Sequence, residues 1–485
     1  MHRRRPPQPS SGLATFLFDA LLALAPVLAW IAPSNAAAAP GPDAPPLLDV
    51  PQPARAMTMA EALDYARGHQ PAIRAALARV SVRAEEARVP GGQWLPTVGV
   101  TGQIFAMTAN NTTATYVQAP WMDIPRIGAT ASQSTGSWSP YASTLVGAGL
   151  TQEVFDFGRI GAERAAADAQ VAVEKHRSEE ARLDIELGVE EAYFSVLAAK
   201  AVVQASDDAY GRSLVHRDLA RRGVDAGLRS PIELTRAEAD LDRFDVGRVR
   251  ARGGVAVAES VLSAAIGAPD AAIDVAGEPP APADMPALAE ALDLAQKRDP
   301  RLAERLAQLK ASEESTRAVG AALRPNLLAT ATVTGRAGGA PPSSGPTPAG
   351  NGWVPDVPNW DAGLVLSWAL FDGTIAARRD AARSLEQVRR DEIDEAREQE
   401  AAEVRETYVK VRVANTALVA LKNEVTAARA NYEQADARFR AGIGNAVELA
   451  DAEAVRTDAE IELALGQFEL ARARATFGRA IAEGL

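Results

Sequence analysis

The chain has 485 residues, a hydrophobic fraction of 47% and a formal net charge of −12. That is enough apolar residue for a packed core, and the acidic balance argues against nucleic acid as a partner. With no cysteine, the chain excludes disulfides, thiolate catalysis, Cys-ligated metals and a lipid-modified N-terminal Cys.

The first element reads as an export signal over residues 1–39. Arg3, Arg4 and Arg5 precede an uncharged apolar run from Ala20 to Ala32, and Ala36 to Ala39 supply small residues for cleavage. Pro26 and Pro33 interrupt that run. No stretch reaches the ~18 apolar residues of a transmembrane helix, so membrane residence requires a β-barrel or a surface helix. A Pro-rich linker follows over residues 40–56.

A first repeat is expected over residues 57–267. It opens with a predicted helix from Thr58 to Val89. After Pro96 the apolar period changes from 3.6 to 2: Val98, Val100, Ile104 and Ala106 alternate with Thr97, Gly99, Thr101 and Gln103. A second alternating run, Val146, Ala148, Leu150 and Val154, follows a loop rich in Asn, Thr, Ser, Pro and Gly. Each run has the ~10 residues of a membrane-spanning β-strand. Trp121, Trp138, Tyr141, Trp353 and Trp360 lie in or beside the strand-joining loops, where an interfacial aromatic girdle would place them.

From about Arg159 to Arg222 there is no proline, and ~65 helical residues span on the order of 100 Å. Such a helix needs other long helices beside it. Ile185, Val189, Ala192, Val196, Ala199 and Val203 form a heptad seam, with Leu183, Leu187, Phe194 and Leu197 on a neighbouring face. The helix ends at Ala226-Gly227-Leu228-Arg229-Ser230-Pro231-Ile232-Glu233. Gly227 suits a left-handed C′ position, Ser230 an N-cap, Pro231 the first helical turn, and Glu233 the far side of a capping box.

Past an inter-repeat linker at 268–284, residues 285–485 restate the first copy. Ala60-Glu61-Ala62-Leu63-Asp64 matches Ala289-Glu290-Ala291-Leu292-Asp293, and Pro71 and Pro96 match Pro300 and Pro325, all at an offset of 229. Gly158, Tyr193, Ala226-Gly227 and Glu233-Leu234 match Gly373, Tyr408, Ala441-Gly442 and Glu448-Leu449 at 215. The two copies therefore differ by 14 residues in the strand region alone. The second copy predicts helices from Pro286 to Leu323 and from Thr374 to Arg440, strands around Leu327–Val333 and Ala362–Leu370, and a second hairpin capped by Gly442 and Asn445. Four strands cannot close a barrel, and an open edge is not tolerated in lipid, so the chain must assemble with copies of itself if the strands span a membrane.

The order helix, strand pair, long helix, hairpin, helix, written twice, resembles the TolC-type outer-membrane factor family. So do Leu95-Pro96, Val154-Phe155-Asp156-Phe157-Gly158-Arg159, Arg438-Phe439-Arg440-Ala441-Gly442 and Glu448-Leu449-Ala450-Asp451-Ala452-Glu453. The resemblance spans about Met57 to Leu485. It implies an α+β membrane protein in which long helical hairpins form an α-barrel and four strands per chain join a trimeric twelve-stranded β-barrel. It further implies an outer-membrane location with a long periplasmic portion. The implied partners are a periplasmic adaptor protein, an inner-membrane pump or ABC exporter of an efflux or type I secretion system, and outer-membrane lipid. By the same resemblance Glu448 and Asp451, with Glu233 in the first copy, are expected at a pore constriction. The basic residue that locks the gate in some members would fall at Gly444, leaving Arg440 or Arg229 as substitutes.

No enzyme, cofactor or metal motif accompanies these elements. The four histidines include no i, i+4 pair, and no phosphate-binding loop or Gly-x-Ser-x-Gly occurs. The competing reading is a periplasmic coiled-coil adaptor or scaffold, which the duplicated strand pairs disfavour.

Overall fold

Helix breaking by proline shapes both repeats. The structure, a computed structural model, describes residues 56–107, 141–269, 284–338 and 357–483, with 118–119, 122–123, 271 and 273–277 between them. The expected export signal, most of the linker after it, and Trp121, Trp138 and Trp353 lie outside the described residues. Each opening segment, expected as one helix, is two: α1 (Met59–His69) and α2 (Pro71–Glu86), then α5 (Leu288–Arg298) and α6 (Pro300–Ala321). The break falls at the residue before each proline. Gln70 (φ −64°, ψ 119°) and Asp299 (φ −63°, ψ 119°) are pushed out of the helical region by the proline ring that follows.

Four antiparallel strands form one sheet in the order β1 (Thr97–Met107), β2 (Tyr141–Phe155), β3 (Asn326–Gly338), β4 (Val357–Ser367). The central pairing joins the two repeats, with Ala148 opposite Val333 and Leu150 opposite Ala331. The last strand ends at Ser367, so Trp368 and Leu370, expected inside it, lie beyond it.

The register sorts the two faces. Val98, Val100, Val146, Leu150, Ala331, Val333, Ala362 and Leu364 fall on one side, and Thr101, Gly147, Thr151, Thr330, Thr332 and Asp361 on the other. The apolar side is the open one: Val98 and Val100 are 60% exposed and Leu364 is 68% exposed. On the polar side Thr332 and Thr334 are buried. A sheet in water does the reverse, since its apolar face is the one it hides.

Two long helices carry the rest: α3 (Arg159–Asp225, 67 residues) and α7 (Gly373–Arg440, 68 residues), each about 100 Å long. The shorter arms α4 (Pro231–Ile266) and α8 (Ala446–Ala480) return along them. Near the hairpins the packing order is α4, α3, α8, α7, and near the sheet it is α2, α3, α6, α7. The predicted seam forms the core of the first repeat, with Val189, Ala192 and Val196 buried against Ala62, Ala66 and Leu262. Its counterpart packs Val404, Val411 and Leu418 against Ala291, Ala295 and Phe477. The outer helices leave apolar side chains open, including Val246, Val249, Val257 and Val261 on α4 and Val409, Val413 and Val419 on α7. Among the described residues no helix is long and apolar enough to cross a membrane.

Candidate functional site at the hairpin tips

Both hairpins turn by the same device. Gly227 (φ 68°) and Gly442 (φ 75°) adopt the left-handed conformation that closes a helix C-terminus. The amides of Leu228 and Arg229 both donate to the Gly223 carbonyl (2.9 and 3.1 Å), and those of Ile443 and Gly444 to the Arg438 carbonyl (3.1 and 3.0 Å).

The side chains at these matched positions are exchanged. The first turn carries Gly223 and Arg229, the second Arg438 and Gly444. A Cβ at Gly223 would sit 2.6 Å from Cδ of Arg229, and one at Gly444 would sit 2.9 Å from the backbone nitrogen of Phe439. The turn therefore has room for one large side chain across it, and the second copy's backbone leaves none at 444. Any side chain at 444 would have to displace that backbone.

Arg229 uses its position to tie the two hairpins together. It donates to Glu233 (2.9 Å) and to the Phe439 carbonyl on α7 (2.9 Å), and its guanidinium stacks 3.7 Å over the Phe439 ring. Arg440, the other expected substitute, is held by Asp436 on its own helix at 2.9 Å.

The three acidic residues singled out from sequence have different surroundings. Glu233 is occupied by Arg229, and Ser230 in front of it holds the N-cap position without a side-chain hydrogen bond, so the expected capping box does not form. Glu448 donates its backbone N–H to the Asn445 side chain (2.8 Å), while its carboxylate lies 3.4 Å from Arg438 in an exposed pair. Asp451 is exposed and has no partner among the described residues. Its matched position in the first copy is Arg236, so at this position the acidic residue belongs to the second hairpin alone.

Behind the tips lies a polar network that sequence reasoning missed. Arg212 on α3 donates to Glu453 (2.8 Å) and Glu460 (3.4 Å) on α8, and Arg429 and Arg456 also reach Glu460 (2.9 and 3.1 Å). His216 Nε2 meets the Tyr432 hydroxyl at 2.8 Å, and its Nδ1, without a hydrogen bond, stands 4.0 Å from Asp436. Burial holds the His216 imidazolium below its ordinary pKa and raises Tyr432 to about 12. Burial also raises Glu453, against the opposing pull of Arg212; Glu460 sits low because hydrogen bonds from Arg429 and Arg456 outweigh its burial. A cavity of about 40 Å³ lined by His216, Glu233, Asp240, Phe439, Leu449 and Glu453 lies between the four helices. The signal in sequence was the i, i+4 pairs Arg212/His216 and Tyr432/Asp436, which share a helix face. Nothing here resembles a catalytic arrangement; the network positions helices.

The family described as outer membrane efflux protein matches residues 62–268 and 291–483, one match for each repeat. No curated protein matches the chain. Among solved structures, the outer-membrane channel OprN is 19% identical with a TM-score of 0.65, covering 88% of this chain and 90% of that one. CmeC, an outer membrane channel of Campylobacter jejuni, is 16% identical with a TM-score of 0.66, covering 88% and 86%. The open state of the Neisseria gonorrhoeae outer membrane channel MtrE is 19% identical with a TM-score of 0.65, covering 88% and 89%. At these identities the likeness is one of fold.

Proposed function

The chain belongs to the outer membrane efflux protein family, an efflux-type channel and not an enzyme, and from that premise we propose that it works as a homotrimeric duct. Three copies supply twelve strands, and the helical hairpins extend into the periplasm. There a periplasmic adaptor and an inner-membrane pump or ABC exporter engage them. Transport through the duct is passive. Residues 1–39 are removed on export, residues 40–56 and 268–284 act as linkers, and 57–267 and 285–485 are the two repeats.

One observation carries this reading: the sheet exposes its apolar face, shelters its polar face and ends on two strands, β1 and β4, whose outer edges are unpaired among the described residues. Lipid accepts the first property and forbids the last, so the edges must be paired by neighbouring copies. The helical layer ends on the same logic, with exposed valines on α4 and α7. A periplasmic adaptor or scaffold would have no use for an apolar-out sheet.

The constriction is assigned to Glu448 and Asp451, with Glu233 serving the clasp beside it. Opening separates the two hairpins of one chain, which requires Arg229 to leave Phe439. The test is conductance in planar bilayers on protein extracted from outer membranes as a heat-modifiable trimer. Replacing Glu448 and Asp451 together by Ala should change conductance and weaken cation block, and Arg229→Ala should raise conductance. A monomer found in the soluble periplasm would end the duct reading, and unchanged cation block would remove the acidic pair from the gate.

A further inference from the structure

Between α3, α6 and α7, far from the hairpin tips, lies a cavity of about 160 Å³ lined by Glu180, Asp299, Arg301, Glu304, Arg305 and Glu400 among others. Most of these charges are already satisfied. Asp299 holds Arg301, whose other arm reaches Glu403 at 2.8 Å. Glu304 takes Arg177 at 2.7 Å and Gln308, and Arg305 lies 3.5 Å from Glu392. Two carboxylates are left over. Glu400 is 5% exposed and neither of its oxygens has a hydrogen-bond partner. Glu180 likewise has no hydrogen-bond or ion-pair partner among the described residues.

The matched region of the first repeat shows that the fold does not need this chemistry. Glu400 corresponds to Ile185, and Asp299, Arg301, Glu304 and Arg305 correspond to Gln70, Ala72, Ala75 and Ala76. There Ile185 simply packs against the apolar cluster around Ala62, Ala66 and Val189. A buried carboxylate without a partner costs several kcal/mol, so its presence in only one copy asks for a ligand.

We propose that this cavity binds a divalent cation of the magnesium class, held through its water shell by Glu180 and Glu400. The lining carries four carboxylates against two guanidinium groups, an excess of two negative charges that one such ion neutralises. The donors are all oxygen, which selects a hard cation. Among the described residues no three acidic or histidine side chains are set to grip a bare ion. The ion therefore keeps several waters, for which the cavity has room, and one or two carboxylates are the usual complement for Mg²⁺. Burial, then the neighbouring Asp299 and Glu403, raise Glu400 to about 7 against the pull of Arg301 and Arg397. A proton therefore competes with the ion below neutral pH, in a site that also faces Glu180, Glu304 and Arg305.

The experiment is calorimetric and thermal titration of the purified full-length protein in detergent with MgCl₂, against NaCl at equal ionic strength. At pH 8 a saturable heat and a matching rise in Tm are expected, with weaker binding at pH 6. Glu400→Gln should abolish both responses, and Glu180→Gln, across the cavity on α3, should weaken binding at least tenfold. Protein carrying Ala at both 448 and 451 should bind as wild type does, which separates this site from the tip and from the channel reading. Three results would overturn the proposal: no response beyond NaCl, a Glu400→Gln protein that binds normally, or a stability that follows pH but ignores Mg²⁺. The last would mark Glu400 as a proton site only.

Discussion

The two repeats share a backbone and divide the chemistry. Their hairpin turns superpose hydrogen bond for hydrogen bond, yet the large side chain crossing the turn is Arg229 in one and Arg438 in the other. Their middle sections carry the same helices, yet one packs Ile185 against an apolar cluster where the other opens a cavity around Glu400. Duplication fixes the scaffold through apolar spacing and turn glycines. Polar residues then diverge freely, because a charge at a helix surface or a cavity does not disturb the register that holds the fold.

The largest test of that difference exchanges the residues at this matched position. Ile185→Glu puts a half-buried carboxylate against the apolar cluster around Ala62, Ala66 and Val189 and should cost about 2–4 kcal/mol, read as lowered Tm. Glu400→Leu in the second repeat should be neutral or stabilising by about 1–3 kcal/mol in Mg²⁺-free buffer. Equal destabilisation by both would mean the repeats do not differ as described.

The pH response is next in size. Because the folded pKa of Glu400 lies above the ordinary 4.5, its neutral form favours the fold, and that contribution fades as pH rises through about 7. Without divalent cation, denaturant melts from pH 5 to pH 8 should therefore lose stability, by at most roughly 3 kcal/mol, and Glu400→Gln should flatten the profile. His216 acts with the opposite sign: its pKa is depressed, so its contribution is present above 6.5 and lost as pH falls below it. A His216→Gln protein should keep the tip intact at pH 5, seen as slower proteolysis at the hairpins.

Smaller effects separate the tips. Arg229→Ala removes a part-buried stack and two hydrogen bonds and should cost about 1–3 kcal/mol. Arg438→Ala removes only an exposed pair, worth about 0–1 kcal/mol. The caps make the finest distinction. Asn445→Ala should cost about 1 kcal/mol because its side chain holds the Glu448 amide, whereas Ser230→Ala should be near neutral because its hydroxyl caps nothing.

Periodicity made the architecture legible before any coordinates. The seam through Val189 and Val196, the alternation after Pro96 and the paired glycines at 227 and 442 each obey a local rule, and each stands where that rule puts it. The break in each opening helix is hidden from periodicity because Pro71 and Pro300 sit inside an apolar period, while their effect falls on the residue before them. Tertiary polar contacts were illegible for a different reason. Arg229 to Phe439, Arg212 to Glu453 and the isolation of Glu400 depend on which helices become neighbours, and no spacing within one helix encodes that. Even Glu233, read as a cap, was claimed by an arginine four residues earlier once the hairpins met.

The account rests most heavily on the sheet facing lipid with its apolar side. The absence of cysteine makes this directly measurable: Val100→Cys and Thr101→Cys, adjacent on β1 and on opposite faces, can each be probed in intact cells with a membrane-impermeant maleimide. Labelling of Thr101→Cys through a water-filled lumen, with Val100→Cys silent, is the predicted result. Labelling of Val100→Cys with Thr101→Cys protected would show a sheet facing water on its apolar side and would contradict the duct.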